Sequence, residues 1–171
     1  AAKKLHLKVV CPGDAISFPE QVFSLYGAEV ADAQQPPRFC ISQEKTRRLL
    51  EYSLDEVLSD FPQIDAVMVR VGENYSQSPL MGNTPDQGDC PSPPFGYAER
   101  IALVIRTLRP VTEAHQKTYI QRAWDLGDGG FHASPEVASK VTSGMAPDDR
   151  LMLSFKHTMS DFWRYNAVNP N

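Results

Sequence analysis

The chain has 171 residues, 42% of them hydrophobic and 22% charged, with a formal net charge of −4. That length suffices for one domain with a real core, and the acidic balance argues against nucleic acid as a partner, because polyphosphate binding needs a basic surface. No apolar run approaches the roughly 20 residues of a membrane helix, so no membrane partner is expected.

No signal-peptide pattern opens the chain, and the absence of an initiator Met leaves room for residues upstream. The compartment is not fixed by these features. Cysteines stand at 11, 40 and 90. An odd, widely spaced set suggests neither a disulfide framework nor a CxxC metal site. Free thiols are expected, with a Cys11–Cys40 contact left open.

The apolar run Leu5–Val10 predicts a strand over 5–10, closed by a turn at Cys11-Pro12-Gly13-Asp14. Pro19–Tyr26 predicts a short helix ending at Gly27, a favourable residue just past a helix end. After a loop around Pro36-Pro37, Ser42 reads as an N-cap. Leu50, Leu54, Val57, Leu58 and Phe61 then recur at helical spacing, predicting an amphipathic helix over 43–60 that Pro62 ends. A three-residue link, Gln63–Asp65, leads to a strand at 66–71. The long connection from Gly72 to Gly96 is rich in Pro, Gly, Ser and Asn. A helix over 97–108 follows, with Ile101, Leu103, Val104, Ile105 and Leu108 facing inward, and then a strand at 117–124. Ser134-Pro135-Glu136 is a strong helix start: an N-cap, a proline at the first helical position and an early acid. Val137, Val141 and Met145 form that helix's inner face; a strand at 151–157 and an irregular tail complete the chain.

Strict β-α alternation predicts an α/β fold with a parallel sheet and right-handed crossovers. Links from helix to strand are short, whereas links from strand to helix are long and carry the unusual residues, as on the functional side of (β/α) barrels. Four strands do not close an eight-stranded barrel. The expectation is a single partial domain, 1–171, amounting to roughly half of a TIM (β/α)8 barrel, with a complete open four-stranded sandwich as the competing architecture.

Three of the strand-like runs turn charged near their C-terminal ends, where α/β folds bind ligands. They hold Arg70 before Glu73, Arg122 before Trp124 and Asp125, and Lys156 before His157. A charge inside such a strand is costly unless paired or bound. One is commonly a structural ion pair; three at one rim suggest an anionic ligand or carboxylates in need of tuning. Glu73 is a candidate general acid or a solvated loop acid. Trp124 is a candidate sugar platform, and Asp125 a hydroxyl ligand or a cap. Asp161, Phe162, Trp163, Arg164 and Tyr165 make the tail dense in charge and aromatics. Trp163 and Arg164 fit sugar binding, or the aromatics simply complete the core. His132 and His157 lack HxH or HExxH spacing, so no metal is assigned. Gly127-Asp128-Gly129-Gly130 matches no phosphate-binding motif, and no cofactor is implied.

The run from Leu153 to Arg164, with Lys156-His157, then Asp161-Phe162, then Asn169-Pro170, resembles the α-glucuronidase family of glycoside hydrolases. There a barrel strand ends in a Lys-Asn-Gly-Pro-like turn, followed by Asp-Phe and then Asn-Pro or Ser-Pro. Gln121-Arg122-Ala123-Trp124 resembles the family's Trp-Arg-Ala strand, and Arg70-Val71-Gly72-Glu73 stands where the family has its acid loop. The resemblance spans 66–170. It implies that Glu73 protonates the leaving oxygen and that Asp161 is part of the base activating water in an inverting displacement. Arg122 and Lys156 would then lie near the uronate or the sugar hydroxyls. The departures are Glu73-Asn74-Tyr75 in place of a glycine-rich acid loop and His157-Thr158 in place of Asn-Gly. The family's second base carboxylate lies on a later strand. A glycosidase acting on uronate-bearing plant polysaccharide is therefore expected, with a carbohydrate substrate and the rest of the barrel as partners and little turnover from these 171 residues alone. The alternative is a non-catalytic carbohydrate-binding α/β domain.

Overall fold

The computed structural model describes residues 2–14, 18–19, 21–30, 39–71, 96–123, 130–146, 148–157 and 168–170. Its strands are β1 (Val10–Asp14), β2 (Ala66–Val71), β3 (Thr118–Ala123) and β4 (Leu151–Ser154). Its helices are α1 (Gln21–Tyr26), α2 (Glu44–Asp60), α3 (Tyr97–Ala114) and α4 (Pro135–Thr142), with 3-10 turns at Ala2–Leu5 and Gly27–Glu29. The strands form one sheet in the order β1-β2-β3-β4, and every pairing is parallel. The expected α/β class is therefore present. Spatial order follows chain order, so the sheet winds one way; a doubly wound sheet reverses its strand order at a switch point.

One face of the sheet makes the core. Val67 and Val69 of β2 and Tyr119 and Ala123 of β3 join Leu50 and Leu58 of α2, Ile101, Val104, Ile105 and Leu108 of α3, and Val141 of α4 in a single cluster. Burying each aliphatic side chain contributes roughly 1.5–3 kcal/mol. The predicted inner faces of α3 and α4 are thus the observed ones, including Val137 and Met145, which pack against the cluster's edge, whereas in the α2 stripe Leu50, Leu54 and Leu58 face the core but Val57 and Phe61 are 37% and 50% exposed. Leu103 is half-buried against it.

Several boundaries differ from the expectation. The first strand is Val10–Asp14, not 5–10. Asp65 sets this register: Val9 N donates to Asp65 Oδ2 at 2.8 Å, and Asp65 N donates to Val9 O at 2.8 Å. Pairing with β2 then begins at Val10 and Ala66. Leu5 and Leu7 fall before the ladder and remain 68% and 56% exposed. The Pro12-Gly13 pair that reads as a turn is inside the strand. Proline is tolerated there because β1 lies at the end of the sheet order. Val9 bonds toward β2, so alternation turns the nitrogen of Pro12 to the outer side.

Ser42 is not the N-cap of α2. Gln43 occupies that position without a side-chain cap, and Arg47 Nη1 reaches back to the carbonyls of Ile41 and Ser42 at 2.8 Å each. Helix α3 runs past Pro110 to Ala114 rather than ending at 108. Its last turn is held by Thr112 Oγ1 donating to Arg109 O, by the Arg109–Glu113 ion pair and by His115 N donating to Val111 O. These bonds offset the donor that proline lacks. Strand β4 stops at Ser154, the last residue with a partner on β3, so the strand predicted to 157 is shorter. Gly27 adopts φ +49°, the left-handed conformation that suits a residue just past a helix end. Cys11 is a free thiol, but Cys40 is disulfide-bonded and wholly buried, which corrects the expectation of free thiols there. Spacing cannot reveal such a bond, because it depends on Cα atoms brought within about 4.4–6.8 Å by folding.

Ser134 caps α4 as expected, its hydroxyl accepting from Val137 N at 3.3 Å. Ser134→Ala should lower stability by about 1 kcal/mol, read as a shifted urea midpoint at unchanged slope.

Asp148, ahead of β4, accepts from Arg150 N at 2.9 Å and pairs with Arg109 of α3 at 2.8 Å. The Arg150 amide first, then the Arg109 guanidinium, hold its carboxyl below the ordinary carboxylate range. A depressed folded-state pKa means that the unfolded chain binds the proton more readily. The contribution is present above the ordinary value of about 3.9 and is lost as pH falls through the folded value. The melting-temperature gap between wild type and Asp148→Asn should therefore be widest near neutrality and close on acidification.

Candidate functional site

The parallel ladders place four residues in one row across the sheet. Asp14 is the register partner of Arg70, Arg70 of Arg122, and Arg122 of Ser154. The row lies at the C-terminal ends of the strands. Because side chains alternate along a strand, it occupies the face opposite Val69, Gln121 and the helix-packed core. The next row toward the N-terminal end is Pro12, Met68, Ile120 and Met152. Met152 is 52% exposed and Val10, one row further, 40% exposed. Ala66 and Ile120, on the inner strands of the same face, are 6% and 9% exposed, so this face is an apolar floor, covered at its centre and exposed at its outer strands, that ends in a charged rim.

Arg70 Nη2 pairs with Asp14 Oδ1 at 2.8 Å, the two side chains being 37% and 28% exposed. An ion pair so hydrated adds at most about 1 kcal/mol. Its clearer effect is geometric: it fixes a long side chain against the neighbouring strand. Arg122 lies on the other side of Arg70, with adjacent strands about 4.8 Å apart. Arg122 Nε is buried and has no hydrogen-bond partner among the described residues. A buried guanidinium nitrogen without an acceptor is costly, and a planar fork of donors suits a carboxylate or another oxyanion.

Behind the row, the helix-facing side of β3 is held by a buried polar link. Tyr119 Oη donates to Gln121 Oε1 at 2.7 Å, and Gln121 Nε2 donates to Val69 O at 3.0 Å. Complete burial pushes the Tyr119 hydroxyl far up, so it stays neutral and keeps donating. At the same end of the sheet Asn169 acts as a clasp. Its side-chain amide donates to Lys156 O at 3.0 Å and His132 O at 2.8 Å, and its backbone N donates to His157 O at 2.8 Å. One side chain thereby joins the segment after β4 to the turn that precedes α4.

Of the residues singled out in the sequence, Arg70 and Arg122 come together on one face. Lys156 follows β4 by two positions, half-buried, and His157 is exposed. Glu73, Trp124, Asp125, Asp161, Trp163 and Arg164 lie outside the described residues. Sequence reasoning missed Asp14, read as a turn. Its signal was present: a strand moved five residues along ends in a charge, as the other runs do. It also missed Arg100, 2% exposed, for which periodicity carries no signal, and it weighed His132, which is 0% exposed, only as a metal ligand. Among the described residues no three His, Cys, Asp or Glu side chains gather closely enough to hold a metal ion, and no helix is long and apolar enough to cross a membrane.

No family model, curated protein or solved structure matches the chain.

Gln121→Leu should cost about 1–3 kcal/mol, since Val69 O and Tyr119 Oη each lose a buried partner. Tyr119→Phe, which removes one donor and leaves Gln121 bonded to Val69, should cost less. Chemical denaturation of both variants checks the order.

Proposed function

We propose that the chain forms part of a (β/α)8 barrel of the glycoside-hydrolase type, acting on a uronate-bearing saccharide by an inverting acid/base mechanism. The observation that carries this reading is the row Asp14–Arg70–Arg122–Ser154, which sets two arginines on adjacent strands, on one face, near the C-terminal ends of sequentially ordered parallel strands. That rim is where (β/α) barrels bind substrate and carry out chemistry. The one-way strand order suits the wall of a barrel. The disulfide at Cys40 suits an oxidising compartment, in which an enzyme degrading extracellular polysaccharide would work.

In this reading Arg122 and Lys156 hold the anionic or hydroxyl groups of the sugar. Glu73, two residues beyond the end of β2, protonates the departing glycosidic oxygen. Asp161, seven residues beyond β4, serves as part of the base that takes a proton from the attacking water. Inversion requires the opposed carboxyl groups to stand about 6.5–9.5 Å apart, leaving room for that water. Trp124, Asp125, His157, Trp163 and Arg164 would line the sugar site.

Glu73→Gln in the full-length enzyme should lower kcat by about 10²–10⁴-fold while leaving the thermal melt unchanged. Turnover near the wild-type rate on a uronoside with a poor leaving group would remove Glu73 from the role of acid.

A further inference from the structure

Resting on the reading of this rim as the ligand-facing end of the sheet, we propose that Asn169 is a positioning residue for substrate: it stands in for a neighbouring strand beyond the end of β4 and holds Lys156 at the rim with Arg122, where an anionic sugar group binds.

The β3–β4 ladder ends at the pair Arg122 and Ser154. Beyond it the chain leaves the ladder, and Asn169 takes up the next carbonyls. Its side-chain amide donates to Lys156 O at 3.0 Å, and its backbone N donates to His157 O at 2.8 Å. The same amide donates to His132 O at 2.8 Å and lies 3.3 Å from His132 Nε2. Asn169 is 8% exposed and His132 wholly buried, so the clasp is anchored in the interior. Pro170 follows, and the residue before a proline is biased strongly toward extended backbone. The amide is thereby aimed before any ligand arrives. Phe155, between Ser154 and Lys156, packs against the core, its ring meeting that of Phe131 edge-on at 5.4 Å between centroids. In an extended chain the residues on either side of an inward one face the other way. That directs Lys156 to the face of Ser154 and Arg122. The clasp acts on the Lys156 backbone, so it sets where that side chain starts, whatever else the ammonium touches. A long, flexible lysine makes a directed contact only when its backbone is fixed.

The test measures dissociation constants for glucuronate and for inorganic sulfate by chemical-shift titration of the full chain at constant ionic strength. Wild type should bind glucuronate, and Lys156→Met should weaken it by about tenfold or more. Asn169→Ala, which deletes the amide and keeps the backbone N–H, should weaken it by roughly three- to tenfold. The variant carrying both changes should bind as Lys156→Met does, because Asn169 works through that side chain. Asn169→Ser keeps one donor and should fall between wild type and Asn169→Ala; it replaces the alanine variant throughout if that variant does not fold. A residue serving stability alone would lower the melting temperature and leave the dissociation constants of the folded chain unchanged. That result overturns the proposal, as do losses that multiply in the double variant, a Lys156→Met chain that binds as wild type does, or a wild type that binds neither anion. These titrations need no turnover. The same coupling seen with sulfate but no binding of glucuronate, or a Glu73→Gln variant of undiminished activity, would retain the positioning role and reject the uronate-hydrolase reading.

Discussion

The charged row at the sheet's C-terminal end depends on the register of three parallel ladders. Backbone pairing fixes Asp14 opposite Arg70, Arg70 opposite Arg122 and Arg122 opposite Ser154. A slip of one residue in any strand would turn its whole side-chain set to the other face. Arg70 or Arg122 would then enter the helix-packed core, and Val69 or Gln121 would take its place at the rim. The apolar face prevents that slip, because Val67, Val69, Tyr119 and Ala123 must remain against α2 and α3. The hydrophobic core and the charged row are thus two consequences of one alignment.

Polar contacts at the two ends of the sheet secure it. At the N-terminal end Asp65 bonds to both backbone groups of Val9 and sets where β1 begins. At the C-terminal end Asn169 satisfies the carbonyls of Lys156 and His132, which pass out of regular structure there. Between them the link from Tyr119 through Gln121 to Val69 O crosses from β3 to β2 inside the core. Buried polar groups of this kind give little net stability, yet leaving one unpaired is expensive. They therefore act mainly to exclude other alignments.

Most of the architecture was legible along the chain, and the failures have identifiable causes. β2 and the starts of α3 and α4 come out as the periodicity and capping residues indicate, because long apolar stripes and the Ser134-Pro135-Glu136 start are strong local signals. β1 was misplaced because Leu5–Val10 is the more apolar run, whereas the actual strand contains Pro12 and Gly13. Only the bonds to Asp65, 56 positions away, select the later segment. α3 continues beyond the predicted end at 108, through Pro110, because Thr112 and Glu113 close its last turn locally. The charged strand ends were visible as a pattern, but Asp14 did not belong to that pattern until β1 moved.

Local sequence chemistry by itself determined the alternation of elements, the inner faces of α3 and α4 and the presence of Arg70 and Arg122 near strand ends. Those properties depend on side-chain period and on neighbours a few residues away. Tertiary structure alone decided which face each arginine takes, that Asp14 meets Arg70 but not Arg122, that Asn169 clasps the ends of two segments, and that Cys40 enters a disulfide. The physical reason is common to all four. Each depends on the spatial alignment of segments distant in the chain, and that alignment arises from burying one whole face of the sheet rather than from any run of residues considered alone.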